Sequence, residues 1–195
     1  RRPEQSEDTS VRDDLLAAAV ITAAAAVILL EGLSLVHGIR VWALSAGWAV
    51  AALGAWAWLV LRLRRGGRTR LPLSLPTPLE GLVLLALVAL VAAVGVNAVV
   101  APPNTWDAMT YHMPRVAHWW QNGTLANYRT GEVRQLVLSP GSEMAILHLQ
   151  VLGGGDRFAN MPQWLARVGS ILAASVVARQ LGAPRRGQLL AAVFV

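Results

Sequence analysis

Three long apolar stretches, residues 15–36, 41–63 and 79–101, constrain this chain more than anything else in it. Each reaches the ~20 residues that a helix needs to cross a hydrocarbon layer of about 30 Å. No water reaches the backbone in such a layer. The α-helix, which satisfies its own N–H and C=O groups, is therefore the form these stretches take. A weaker fourth stretch covers 158–181, and a fifth begins near 188. Gly and Ala inside the stretches do not count against helix, because small residues let membrane helices approach closely. The expected fold class is all-α: a polytopic transmembrane helical bundle, multi-pass in a membrane, with membrane lipids as a partner along its flanks.

Composition excludes the main alternatives. Of 195 residues, 55% are hydrophobic and 14% charged, against about 25% charged in a soluble domain. That much apolar surface also excludes disorder for most of the chain. With no Cys, a disulfide scaffold, thiolate metal sites and Cys nucleophiles are excluded. The net charge of +6 comes from 17 cations, every one Arg, and these flank the apolar runs. We read them as a topology signal, and nucleic acid is not an expected partner.

The Arg distribution orients the spans. Arg62, Arg64, Arg65, Arg68 and Arg70 follow the second run, and Arg179, Arg185 and Arg186 follow the fourth. The positive-inside rule puts 62–78 and 179–187 in the cytoplasm and 102–157 outside. The expected organisation is a cytoplasmic tail at 1–14, three transmembrane helices within 15–101 joined by a basic loop at 62–78, an extracytoplasmic loop at 102–157, a fourth transmembrane helix at 158–181, and a cytoplasmic turn and the start of a fifth helix at 182–195. The chain starts at Arg1 and ends inside an apolar run, so an N-terminal piece of a larger membrane protein is expected.

The outer loop exceeds fifty residues, long for a mere connector. It holds Trp106, Tyr111, Trp119, Trp120 and Tyr128, residue types that favour the membrane–water interface. Thr105 or Asn104 can cap a helix over 106–121, ended by Asn122-Gly123. A second helix is expected over 142–152. Both are expected to lie on the outer surface of the bundle as juxtamembrane helices.

Several loop residues could carry chemistry. Asp107 opens the first loop helix, where a carboxylate also simply stabilises the helix N-terminus. Asp107, Tyr111, Arg115 and His118 fall near one face at helical spacing, although Pro114 interrupts the ladder. Arg115, Arg129 and Arg134 are either interfacial cations or a clamp for phosphate, which suits Arg's planar fork. Arg167 lies about two to three turns inside the fourth run, where a charge costs roughly 2.5–3.5 kcal/mol. It faces a cavity or ligand, or snorkels to the headgroups. Glu143 stabilises the start of the second helix or joins the site. His37, His112, His118 and His148 show no metal spacing, so no metal is assigned. Asn122-Gly123-Thr124 fits a glycosylation sequon but reads more simply as a turn.

The segments "WDAMTYHMPRVAHWWQNGTLANYRT", "SPGSEMAILHLQ" and "GGDRFANMPQWLARVGSILAASVVARQLGA" resemble bacterial polytopic glycosyltransferases of the GT-C class, in particular the protein mannosyltransferase and aminoarabinose transferase group, glycosyltransferase family 39. The resemblance covers about residues 95–186. It implies a cell-envelope enzyme of the bacterial plasma membrane that takes a sugar from a polyprenyl-phosphate (lipid-linked) donor, with no cofactor. It also implies a catalytic carboxylate in the first extracytoplasmic loop, the position of Asp107. The class often carries a pair of acids there. Here Trp106 and Ala108 flank Asp107, and Glu143 is the nearest second acid by position. The implied substrate-binding set is Tyr111, Arg115, His118, Arg129, Arg134, Glu143 and Arg167. One carboxylate to deprotonate an acceptor hydroxyl and cations to hold a departing phosphate are sufficient equipment. A glycoside hydrolase would need two carboxyls flanking one bond. The alternative reading is a non-enzymatic polytopic protein, a transporter or assembly subunit, with the outer helices as a lid.

Overall fold

The computed structural model describes residues 11–64 and 76–195. The polar tail over 1–10 and the basic segment over 65–75, on which much of the expected cytoplasmic loop falls, lie outside the described residues. The chain is all-helical, with no strand among the described residues. Its helices are α1 (Val11–Ser34), α2 (Val41–Arg64), α3 (Pro78–Val100), α4 (Met113–Asn122), α5 (Arg134–Val137), α6 (Gly141–Gly153), α7 (Met161–Gln180) and α8 (Arg185–Val193).

The first three helices are long and apolar enough to cross a membrane, and only 6% of each apolar window is buried against protein. Valine, leucine and tryptophan exposed along their whole length would be costly in water and suit a hydrocarbon surround. The protein is therefore a membrane protein. The fourth expected span, α7, has 20 residues, enough to cross. It carries Arg167 and Arg179 and is not one of the three helices whose composition alone meets the requirement.

Two compact units form. The first comprises Arg1–Thr22, Thr69–Ala92 and Ala166–Val195, and polar contacts between helix ends tie it together. The Arg179 guanidinium donates to both carboxylate oxygens of Asp13, at 2.7 and 2.6 Å. Arg12 donates to Ser175 Oγ at 3.1 Å and to Gln188 Oε1 at 2.8 Å. Thr77 and Glu80 form a reciprocal capping box at the start of α3. The Thr77 N–H donates to Glu80 Oε2 at 2.9 Å and the Glu80 N–H to Thr77 Oγ1 at 3.4 Å, which satisfies two donors that the helix itself leaves open. Arg185 and Arg186 approach the same carboxylate at 3.8 and 3.9 Å.

The second unit comprises Ala23–Arg68 and Ala93–Leu165. Its core gathers Leu30 of α1, Ile39, Leu44 of α2, Val116 and Trp119 of α4, and Met144, Leu147 and Val151 of α6. Gly47 and Gly95 serve close packing: a Cβ on either would meet Leu29 or the Trp164 ring at 2.6 and 2.9 Å, so small residues set the helix separation. Asn160 donates to the Ala101 carbonyl at 2.9 Å and pins the end of the loop to the end of α3.

The turn from α1 to α2 docks on the end of α4. Ile39 N–H donates to the Gly123 carbonyl at 3.1 Å. Ser34 Oγ and Thr124 Oγ1 share a hydrogen bond of 3.0 Å, and the Leu125 N–H donates to Ser34 Oγ at 2.8 Å. Gly123 ends α4 at φ 68°, in the left-handed region where glycine alone carries no Cβ penalty. A Cβ there would also sit 2.6 Å from the His37 carbonyl oxygen. Asn122-Gly123-Thr124 is thus a helix-ending turn with Thr124 buried. Gly123→Ala is expected to destabilise the protein by about 1–3 kcal/mol through the backbone conformation alone, and by more through the clash. Unfolding in mixed micelles measures it, and a loss below half a kcal/mol would contradict this account of the turn.

Candidate functional site

The loop helix starts before α4, at Trp106. Thr105 Oγ1 accepts the Ala108 N–H at 3.2 Å, the cap expected of a threonine at this place. Over Ala108–His112 the helix widens into a π turn, in which the Met113 N–H donates to the Ala108 carbonyl. Pro114 is the cause. It has no N–H to offer the Thr110 carbonyl four residues back, and its ring crowds that oxygen. The wider turn moves the carbonyl aside, and Gln135 Nε2 donates to it at 2.8 Å.

The π turn alters the expected one-face stripe, because a π turn holds an extra residue and slips the 3.6-residue period. Asp107 and Arg115 consequently lie in different surroundings. The Asp107 side chain is 61% exposed, whereas the Arg115 side chain is 1% exposed.

Arg115 and Glu143 sit at the centre of the loop. Arg115 Nη1 donates to Glu143 Oε1 at 2.9 Å and to the Leu138 carbonyl at 3.1 Å. Its Nε donates to the Gln135 carbonyl at 2.6 Å and its Nη2 to the Arg134 carbonyl at 2.8 Å. Ser142 Oγ donates to Glu143 Oε2 at 2.8 Å. His112 Nδ1 lies 3.1 Å from Glu143 Oε1, near enough to pair when protonated, but it is not aligned as a hydrogen bond. Four of the five N–H groups of a guanidinium are thereby committed. Arg115 and Glu143, expected to contact substrate, are closed off from solvent and instead join α4, α5 and α6. The Arg115 guanidinium also lies 5.6 Å from the Trp119 ring centre.

A second, exposed group forms around Asp107. Arg134 Nη1 is 3.5 Å from Asp107 Oδ1. Arg134 Nε and Nη2 donate to the two oxygens of Glu132, each at 2.9 Å, and the guanidinium lies 5.2 Å from the Tyr111 ring centre. These hydrogen bonds hold the Glu132 carboxyl down at about 2 and push the Arg134 guanidinium up. Arg134 is therefore matched by two carboxylates and orients Asp107. Arg129 is exposed and has no side-chain partner among the described residues.

His118 stacks on Tyr128 at 3.9 Å between ring centres, and the Tyr128 hydroxyl donates to Gln135 Oε1 at 2.8 Å. Burial pushes the Tyr128 phenol up. His148 accepts from Trp48 Nε1 of α2 through its Nε2, and burial pushes its pKa down. Arg167 belongs to the first unit, where it is exposed and donates to the Val195 carbonyl. No cluster of His, Asp and Glu suited to a metal occurs among the described residues.

Sequence reasoning weighed His112 only as a metal ligand, not as a neighbour of Glu143, and missed Gln135. Gln135 is 8% exposed and joins three elements by serving Thr110, Tyr128 and Arg115 at once. Nothing in its sequence neighbourhood marks it. No family model, curated protein or solved structure matches this chain.

Two outcomes test this geometry. Arg115→Met leaves Glu143 buried without its partner, which should cost about 3–5 kcal/mol. Adding Glu143→Leu should recover only part of that, because three loop carbonyls still lack a donor. Unfolding of both variants in micelles measures it, and a near-silent Arg115→Met would contradict the buried pair. Separately, Glu132 should titrate near pH 2 in a carboxyl 13C NMR titration. Since its folded value is depressed, the Glu132–Arg134 pair contributes above the ordinary carboxylate range and is lost as pH falls toward 2. A midpoint near 4.5, its ordinary value, would mean the pair does not form.

Proposed function

We propose that the chain belongs to a polytopic membrane glycosyltransferase that moves a sugar from a polyprenyl-phosphate donor to an acceptor hydroxyl on the extracytoplasmic side of the bacterial plasma membrane. Asp107 carries the reading. It is an exposed carboxylate at the head of a loop helix, a few residues beyond the end of α3, with Arg134 3.5 Å away.

In this reading Asp107 takes the proton from the acceptor hydroxyl. The acceptor oxygen attacks the anomeric carbon, and the bond from that carbon to the phosphate oxygen breaks. The polyprenyl phosphate leaves with the electron pair, and the configuration inverts. Arg129, the loop cation with no side-chain partner among the described residues, is the group offered to the departing phosphate. Arg134, fixed by Glu132 and Tyr111, positions the base. Tyr111 and His118 remain sugar-facing candidates, whereas Arg115 and Glu143 maintain the loop.

The membrane orientation belongs to the same proposal: 102–157 outside, with the N-terminal segment and 179–187 inside. Its support is the first unit, where Asp13 at the start of α1 and Glu80 at the start of α3 meet Arg179 and Arg185 of α7 and α8. Helix ends that share ion pairs share a membrane side.

Asp107→Asn keeps the shape and removes the base. It is expected to lower transfer by about 10²–10⁴-fold while insertion and melting stay unchanged. Release of polyprenyl phosphate from a lipid-linked sugar in proteoliposomes measures it. Activity within a few-fold of wild type would reduce Asp107 to a helix-stabilising acid.

A further inference from the structure

The second unit contains a cavity of about 470 Å³ between the end of α1, the segment over 124–127 and the approach to α6. This lies within the size range of small-molecule sites. Asp107, Tyr111 and Arg134 are not among its lining residues.

The polar groups of the wall divide into two sets. Ser34, Thr124, Gln135 and Arg115 already hydrogen bond within the protein. Glu31 and Asn127 also line the cavity, and neither side chain has a partner among the described residues. His37 Nδ1 lies 3.2 Å from the Asn122 carbonyl. A carbonyl can only accept, so the ring proton sits on Nδ1 and Nε2 of the neutral ring is an acceptor. The uncommitted groups are thus a carboxylate, an imidazole nitrogen and one amide.

The sign of this surface matters. The Arg115 charge is already matched by Glu143 at 2.9 Å. Glu31 therefore sets the local field, and phosphate is disfavoured. The uncommitted acceptors call for a ligand rich in donors. An ammonium ion would face one exposed carboxylate, a pairing of little worth in water. A ring bearing several hydroxyls would engage Glu31, His37 and Asn127 together, with its C–H face against Leu35, Leu125 and Leu136 of the wall.

We propose that this cavity binds a neutral, hydroxyl-bearing ligand of sugar size through Glu31, His37 and Asn127. As binding chemistry the site stands without the transferase reading.

The test uses the full chain in lipid nanodiscs and saturation-transfer NMR with the methyl pyranosides of glucose, galactose and mannose. At least one should bind. Glu31→Gln should weaken that binding about tenfold, since it removes a charged acceptor, and Asn127→Ala should weaken it further. Inorganic phosphate and ethanolamine should not displace the sugar. Binding is read at Glu31 and Asn127, which are outside the group around Asp107, so a failed transfer assay and a failed binding assay point to different claims. Absence of binding by all three glycosides, unchanged binding in Glu31→Gln with an unaltered melting temperature, or displacement by phosphate or ethanolamine would each overturn the proposal.

Discussion

The buried guanidinium of Arg115 is the interaction on which the loop depends. Helix α4 brings it in, α6 supplies Glu143, and the backbone around α5 supplies three carbonyl acceptors. Those carbonyls belong to residues 134, 135 and 138, a stretch with only one short helix of its own. Buried without a donor, they would carry a desolvation cost of their own. Arg suits this role better than Lys because its donors point in several fixed directions at once. A pair of this kind is weak evidence for net stability, since both charges leave water. Its effect here is geometric: it fixes where residues 132–138 run, and therefore where Arg134 stands.

Consequences follow outward from that placement. Gln135 sits next to Arg134, and the same stretch that feeds Arg115 aims the Gln135 side chain at Thr110 and Tyr128. The Thr110 carbonyl is free because Pro114 cannot serve it. The π turn, the proline and the glutamine are therefore one arrangement rather than three features. It leaves Asp107 exposed within reach of Arg134, while Arg115, on the far side of the π turn, is buried.

How much of the site could be read in advance depended on which period governed it. Asp107, Tyr111, Arg129 and Arg134 stood out by residue type and by their place in a long loop. Their separate fates did not. Arg115, Arg129 and Arg134 look alike in sequence, as three cations among aromatics. One is buried against a carboxylate, one is matched by two surface acids, and one has no partner among the described residues. The helical-face argument failed at Arg115 because it assumed a uniform 3.6-residue turn, and the π turn breaks that assumption. His112 reaches Glu143 for the same reason. Glu31, in an apolar run, drew no notice until the cavity beside it was in view.

What the sequence by itself determined is the membrane character and the helical class. Long apolar runs leave the backbone one way to satisfy its hydrogen bonds in hydrocarbon, and that constraint acts residue by residue with no need of partners. Local punctuation was legible for the same reason: Thr105 at a cap, Pro114 within a helix and Gly123 at a helix end act through their own covalent chemistry. The tertiary structure alone decided which charges are buried, which are paired and which are offered to a ligand. Those outcomes turn on contacts such as Arg115 with Glu143 and Gln135 with Thr110, 28 and 25 positions apart. Neither pattern nor propensity records which distant group a side chain will meet.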